Sequence, residues 1–381
     1  MNVPKLRFKE FNDEWCYQSL SKYVNRITTK NKNNESDLVL TISAQYGLVD
    51  QTIFFNRSVS SSNLTGYYLL NNGDFAYNKS YSNGYPWGTV KRLNKYNQGV
   101  VSSLYICFKT NNLIDSNFLE QYFETNKWYQ QISEVSVEGA RNHGLLNIAV
   151  NDFFNTKHYI PSIKEQEKIS KFLSLLDKKI ELQTKKIEDL KLFKKGLLYN
   201  EKRNNKAWNE YKISDIMNIT RGTVIPKTEI SKCLNNEFRY PVYSSQTSNN
   251  GILGYDNKYD FNGKFLTWTT DGANAGKVFY REGKFRCTNV CGILYNKDNR
   301  YVSELTAELL NIETPKYVSY VGNPKLMNNV MSNIIIKLPN SSRDHFFSSI
   351  LKIINKKLTI EEEKLDKLFE LKKGLMLNMF V

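Results

Sequence analysis

A long stretch of the chain, PSIKEQEKISKFLSLLDKKIELQTKKIEDLKLFKKGLLYN from Pro161 to Asn200, returns as PNSSRDHFFSSILKIINKKLTIEEEKLDKLFELKKGLMLN from Pro339 to Asn378. The copies align without a gap at an offset of 178, which sets Leu173 on Leu351, Lys178 on Lys356, Leu190 on Leu368, and KKGL at 194–197 on KKGL at 372–375. A repeat at this spacing is too long for a solenoid unit, so the chain reads as two half-molecules in tandem.

Each copy predicts a helix. Apolar residues fall at Ile169, Phe172, Leu173, Leu176, Ile180, Ile187, Leu190, Phe193 and Leu197, and again at Phe347, Ile350, Leu351, Ile354, Leu358, Leu365, Leu368, Leu371 and Leu375. Ser162 and Glu165 have capping-box spacing behind Pro161. At 1.5 Å per residue each helix spans about 50 Å. The stripe is narrow and the opposite face dense in Lys and Glu, so each helix is expected to bury it against the other, as a coiled coil, more than in its own domain's core. The stripe is interrupted at Gln183 and, at the same repeat position, at Glu361. Antiparallel, flush pairing predicts that both fall in one central polar layer that fixes register; outside the seam, both would be solvated.

The 381 residues allow two ordinary domains plus connectors. A net charge of +15, spread over all parts of the chain, points to a polyanionic partner met by folded basic surfaces. The start, MNVPKLRFKEFNDEW, holds no apolar signal core, and no run is long enough to span a membrane. Five Cys suit a reducing compartment, and three scattered His make no metal constellation, so a cytoplasmic protein without a metal site is expected.

Residues 1–160 mix β-rich runs (VLTISAQYGLV, DFAYN, VVSSLYICFK) with a helical pattern over FLEQYFETNKWYQQI, and residues 201–338 echo them. WNEYKISDIM repeats the Trp-led opening WCYQSLSKYV, GKFLTWTT parallels GDFAYNKS, and each unit closes on an apolar–Pro pair, Ile160–Pro161 and Leu338–Pro339. The expected fold class is α+β: domains at 1–160 and 201–338, alternating with helices at 161–200 and 339–381.

With its P-x-x-x-x-[QD] helix starts at 161–166 and 339–344, paired KKGL ends and Trp-led openings, the whole chain resembles the specificity (S) subunit of a type I restriction-modification system. The resemblance implies two target-recognition domains on antiparallel helices, each reading half of a bipartite duplex-DNA site. It also implies two methyltransferase subunits docked on the assembly and restriction subunits in the full complex. S-adenosylmethionine, ATP and Mg would then be bound by those partners and no cofactor by this chain.

Candidate DNA contacts come from loops. YNKSYSNGYPWGTVKRLNK offers Lys79, Lys91, Arg92 and Lys95 to phosphates and Tyr81, Tyr85 and Trp87 to sugars or bases. Arg141 and Asn142, in EGARNHGLLNI, are the types that contact guanine and adenine bidentately. Their counterparts in GNPKLMNNV are Lys325, Asn328 and Asn329. TTDGANAGKVFYR departs from a phosphate loop, with Val278 where Ser or Thr is needed, and reads as a turn presenting Asn274, Lys277 and Arg281. No cofactor-cradling turn or Asn/Asp-Pro-Pro-aromatic methyltransferase string occurs, which favours a non-catalytic DNA-binding subunit. A nuclease with a cryptic carboxylate site and a coiled-coil assembly protein are the alternatives, separable by magnesium-dependent cleavage and by loss of sequence preference.

Overall fold

The computed structural model describes residues 2–56, 63–136, 146–204, 208–296 and 300–381. The chain forms two compact units, Met1–Thr184 with Lys364–Val381, and Lys185–Glu363. The division cuts both repeated helices at almost the same repeat position.

The first unit runs β1 (Cys16–Ser19), β2 (Val24–Arg26), β3 (Leu40–Ser43), β4 (Gly47–Asp50), α1 (Gln51–Phe55), β5 (Tyr68–Asn71), β6 (Phe75–Asn78), β7 (Thr89–Arg92), β8 (Gln98–Val101), β9 (Ile106–Thr110), α2 (Ser116–Phe123), α3 (Tyr129–Val135), α4 (Val150–Asn155) and β10 (Lys157–Ile160) into α5 (Ile163–Asn204). The second runs from the end of α5 through β11 (Asn209–Lys212), α6 (Ile213–Ile216), β12 (Asn218–Arg221), β13 (Tyr240–Tyr243), β14 (Ile252–Asp256), β15 (Phe261–Thr269), β16 (Val278–Cys287), β17 (Cys291–Tyr295), α7 (Glu304–Glu313), α8 (Asn328–Ser332) and β18 (Ile335–Leu338) into α9 (Ser341–Met379).

The two units share one ladder. The first has the order β2-β9-β6-β7, and the second repeats it as β12-β17-β15-β16, then adds β13 and β14 beyond β16. Each is closed by its opening strand against its last, Cys16 facing Ile160 and Asn209 facing Leu338. Alternation along the central strands divides the core, as the two-residue period of a strand requires. Phe75 and Tyr77 face the helical layer while Ala76 faces a second cluster with Leu70 and Cys107. Likewise Leu266, Trp268 and Leu294 face the helices of the second unit, and Ile293 packs with Phe285 and Cys287 behind. Trp268 pairs with Gly292 across the ladder, and a Cβ there would lie 2.2 Å from the indole, so only glycine fits.

The repeated helix starts carry a matched anchor. Gln166 is buried, and its Oε1 accepts the backbone N–H of Asp115, the N-cap of α2, at 2.7 Å. At the equivalent place Asp344 accepts from the hydroxyl of Ser303, the N-cap of α7, at 2.8 Å. The last position of P-x-x-x-x-[QD] therefore ties each long helix to the start of its domain's own helix.

Within each unit the two repeated stretches run antiparallel. In the first, Lys372 reaches Asp177 and Met379 joins the cluster of Ile169 and Leu173; in the second, Lys186 meets Glu361 at 3.0 Å and Leu198 joins Leu351 and Phe347.

Three sequence expectations change. The helices bury much of their stripe in the domain cores, because Ile169 and Leu173 lie beside the aromatic residues of α2, and Leu351 beside Leu305 of α7. Phe193 and Leu371, assigned to the stripe, are exposed. The helical pattern over 117–132 divides into α2 and α3, within the one or two helices expected, since the Thr125 hydroxyl caps the Tyr122 carbonyl and the Trp128 indole the Phe123 carbonyl, ending α2. Glu165 makes no capping box: its buried carboxylate binds Arg7 through two hydrogen bonds of 2.8 Å. Glu361 is buried and ion-paired with Lys186, and Gln183 is half-buried.

Candidate nucleic-acid interface

The loops singled out by sequence leave the same strand end in both units. Beyond β6 the chain enters the Lys79–Gly88 turn, where Ser82 and Tyr85 exchange backbone hydrogen bonds of 3.3 and 2.8 Å. Leu146 N–H donates to the Lys79 carbonyl at 2.9 Å, so the two candidate loops of the first unit meet here. In the second unit Leu326 N–H donates to the Thr270 carbonyl, also at 2.9 Å, and Gly272 N–H donates to Pro324. The register of these two links is the same, one loop following the central strand and one preceding the closing strand.

In the first unit Tyr81 is exposed. Tyr85 is half-buried with its hydroxyl 3.5 Å from the Ala44 carbonyl, and burial raises its pKa. Trp87 packs on the core. The Lys79 ammonium donates to the Ile148 carbonyl at 3.2 Å and so braces the loop pair. Two expected phosphate contacts are instead inward. Lys91 is buried and ion-paired with Glu124 at 2.5 Å, because its strand packs beneath α2. Arg92 binds Glu120 at 2.9 Å and Ser116 at 3.0 Å on the same helix. Both line a cleft of about 450 Å³ together with Tyr46, Tyr85 and Lys95. Lys95 is the exposed cation of this group. Arg141 and Asn142 lie outside the described residues.

In the second unit the exposed Asn274 donates to Thr247 at 3.1 Å, and Lys277 is exposed with its ammonium 5.8 Å from the Phe279 ring. Lys325 is exposed, 4.0 Å from Asp271, and its backbone bridges Ser319 and Asp271. Half-buried Asn328 accepts from Arg221 at 3.3 Å. Arg281 does not face outward: at 3% exposure it stacks on Tyr243 and Phe279, because residues alternate along β16 and its position points inward. Sequence reasoning passed over Arg221 and the SSQTSNNG loop from Ser244 to Gly251, though its Asn-Asn-Gly string is a recognisable turn signal. Among the described residues no group of three His, Cys, Asp or Glu is placed to hold a metal ion, and no helix is long and apolar enough to cross a membrane.

A family model described as the type I restriction modification DNA specificity domain matches residues 205–370. A putative type I specificity subunit N-terminus from Mycoplasma pneumoniae is 43% identical over 142 residues, which are 37% of this chain and 74% of that protein. This chain belongs to the type I specificity subunits. A second putative type I specificity subunit of M. pneumoniae is 38% identical over 188 residues, 47% of this chain and 68% of the relative. The specificity subunit of the M. pneumoniae restriction enzyme MpnII is 40% identical over 136 residues, 35% of this chain and 40% of that one. The crystal structure of the type I S subunit from M. genitalium shares the fold, with a TM-score of 0.67 at 16% identity over 100% of this chain and 99% of the other. The S subunit is accordingly a non-catalytic recognition subunit, and it carries a DNA-specificity domain over residues 205–370.

Proposed function

We propose that this S subunit binds duplex DNA at an asymmetric site made of two short defined halves with an unspecified spacer. Residues 1–160 and 201–338 would act as the two recognition domains, and the helices at 161–200 and 339–381 as the spacer. The observation that carries this reading is the matched loop junction: one ladder occurs twice, and at its equivalent strand end Lys79–Leu146 and Thr270–Leu326 join loops of unlike sequence. Two such domains read two different half-sites, with spacing set by geometry. Tyr81 and Lys95 of the first domain, and Lys277, Lys325 and Asn274 of the second, are the exposed groups best suited to DNA; Arg141 and Asn142 remain candidates from their residue types.

Partner docking has its own support. Leu175 and Ile353, Leu182 and Ile360, Phe193 and Leu371, and Tyr199 and Leu377 are repeat-equivalent pairs, and all eight residues are exposed. Apolar residues outward at matched positions suit two copies of one partner, the methyltransferase subunit, with restriction subunits joining the full complex. S-adenosylmethionine, ATP and Mg belong on those subunits, and the assembly works in the cytoplasm. Selection from a random duplex pool, using the chain with any subunit that co-purifies, should return a two-part motif; a single contiguous motif defeats the reading.

A further inference from the structure

Between β13 and β14 the backbone takes an uncommon path. Asn249 (φ 48°, ψ 44°) and Asn250 (φ 50°, ψ 31°) both adopt the left-handed conformation, and Gly251 follows at φ +80°. Single asparagines visit this region, but two in succession are strained, and strain of this kind persists where the surroundings over-determine it. The support lies underneath. A Cβ on Gly251 would stand 2.8 Å from Nη2 of Arg281, so the turn rests directly on that guanidinium. Ser244 N–H donates to the Gly251 carbonyl at 3.2 Å, and the Gln246 amide donates to the Ile252 carbonyl.

Arg281 is itself unusual. Its guanidinium carbon lies 3.6 Å from the Tyr243 ring centroid and 4.4 Å from that of Phe279, and its Nε donates to the Thr267 hydroxyl at 3.1 Å. Among the described residues no carboxylate forms an ion pair with it, whereas buried arginines are normally paired. A positive charge held against two ring faces and a hydroxyl, with no carboxylate to neutralise it, favours a polyanion above the loop. The loop also adjoins the candidate interface, since Asn274 donates to Thr247 at 3.1 Å. The strands that carry it, β13 and β14, extend the ladder beyond the part that both units share.

We propose that Ser248–Gly251 is a specificity-determining element of the second recognition domain, in which the exposed Asn249 and Asn250 carboxamides read an A·T base pair. A carboxamide carries a donor and an acceptor side by side, the complement of adenine N6–H and N7 in the major groove. Held on a turn fixed by Arg281 and Gly251, it loses little freedom on binding. This inference rests on the DNA-recognition reading and assigns it residues.

The test compares the wild-type chain, with its co-purifying subunits, against Asn249→Gly with Asn250→Gly in random-duplex selection. Glycine removes both carboxamides and accepts the left-handed backbone freely. The A·T preference at one or two adjacent positions of one half-site should flatten while the other half stays unchanged. Affinity for the selected duplex should fall about 10- to 100-fold, with affinity for a scrambled duplex unaltered. Asn249→Asp with Asn250→Asp, which tolerates the same backbone, should shift the preference away from A·T and serves as the deciding variant if the glycine form melts early. An unchanged motif from a folded variant overturns the inference and leaves the function intact. A wild-type chain that returns no motif overturns both.

Discussion

Lys372 is ion-paired to Asp177, and Lys194, its equivalent in the other copy of the repeat, binds Asn355, the equivalent of Asp177. Each KKGL segment thus grips the opposite helix at the matching position. Each interaction also reaches the domain helix: Asp177 accepts from Gln121 at 2.8 Å, and Lys194 meets Glu308 at 2.7 Å.

The two lysines should differ in weight. Lys194→Met leaves Glu308, 12% exposed, without its cation and should cost about 1–3 kcal/mol. Lys372→Met leaves Asp177, 38% exposed, to water and should cost less than about 1 kcal/mol. Urea unfolding of both variants measures the difference; equal losses would contradict it.

Asp344 gives a pH prediction. Burial raises its carboxyl pKa above the ordinary value, against the opposing Ser303 hydrogen bond. The folded state then holds a proton that the unfolded chain has already released, so this group's contribution falls as pH rises from its unfolded pKa to its folded one. Asp344→Asn keeps an acceptor for Ser303 and removes the titration. Its melting temperature should exceed wild type at neutral pH, and the two curves should converge toward acid.

Lys91 and Lys95 should separate stability from binding. Lys91→Met should lower the melting temperature, because its buried ammonium holds Glu124, and leave the salt dependence of DNA binding unchanged. Lys95→Ala should leave stability alone and flatten the salt slope by about one unit. The reverse pattern would show that the inward lysine, not the exposed one, meets phosphate.

Glu361 is buried beside a lysine that is 49% exposed. Replacing it by Leu returns Lys186 to water and removes a desolvated carboxylate, so stability should rise by about 1 kcal/mol. A lowered melting temperature would mean that the ion pair is net stabilising.

The repeat, the Trp-led openings and the strand equivalences were legible because each is written twice: Cys16 facing Ile160 and Asn209 facing Leu338 confirm an alignment made on letters alone. The roles of Lys91 and Arg281 were not legible. A cation on a β-rich run reads the same whether it points to solvent or inward, and its direction depends on which neighbour covers that face. For Lys91 the neighbour is α2, and for Arg281 the rings of Tyr243 and Phe279. The anchors at Gln166 and Asp344 were visible as a motif but not as a mechanism, since their partners at Asp115 and Ser303 are distant in sequence.

Phe380 is 1% exposed, its ring 5.4 Å from Phe118 and 6.0 Å from Tyr122, and Leu6 N–H donates to the Asn378 carbonyl. The residues that complete the first unit therefore follow the whole of the second along the chain. A ribosome delivers Lys185–Glu363 in one piece, ready to collapse, while the earlier unit still lacks a wall of its core. Folding during synthesis should thus finish in reverse order, the later domain first, with the earlier aromatic cluster open until Phe380 arrives.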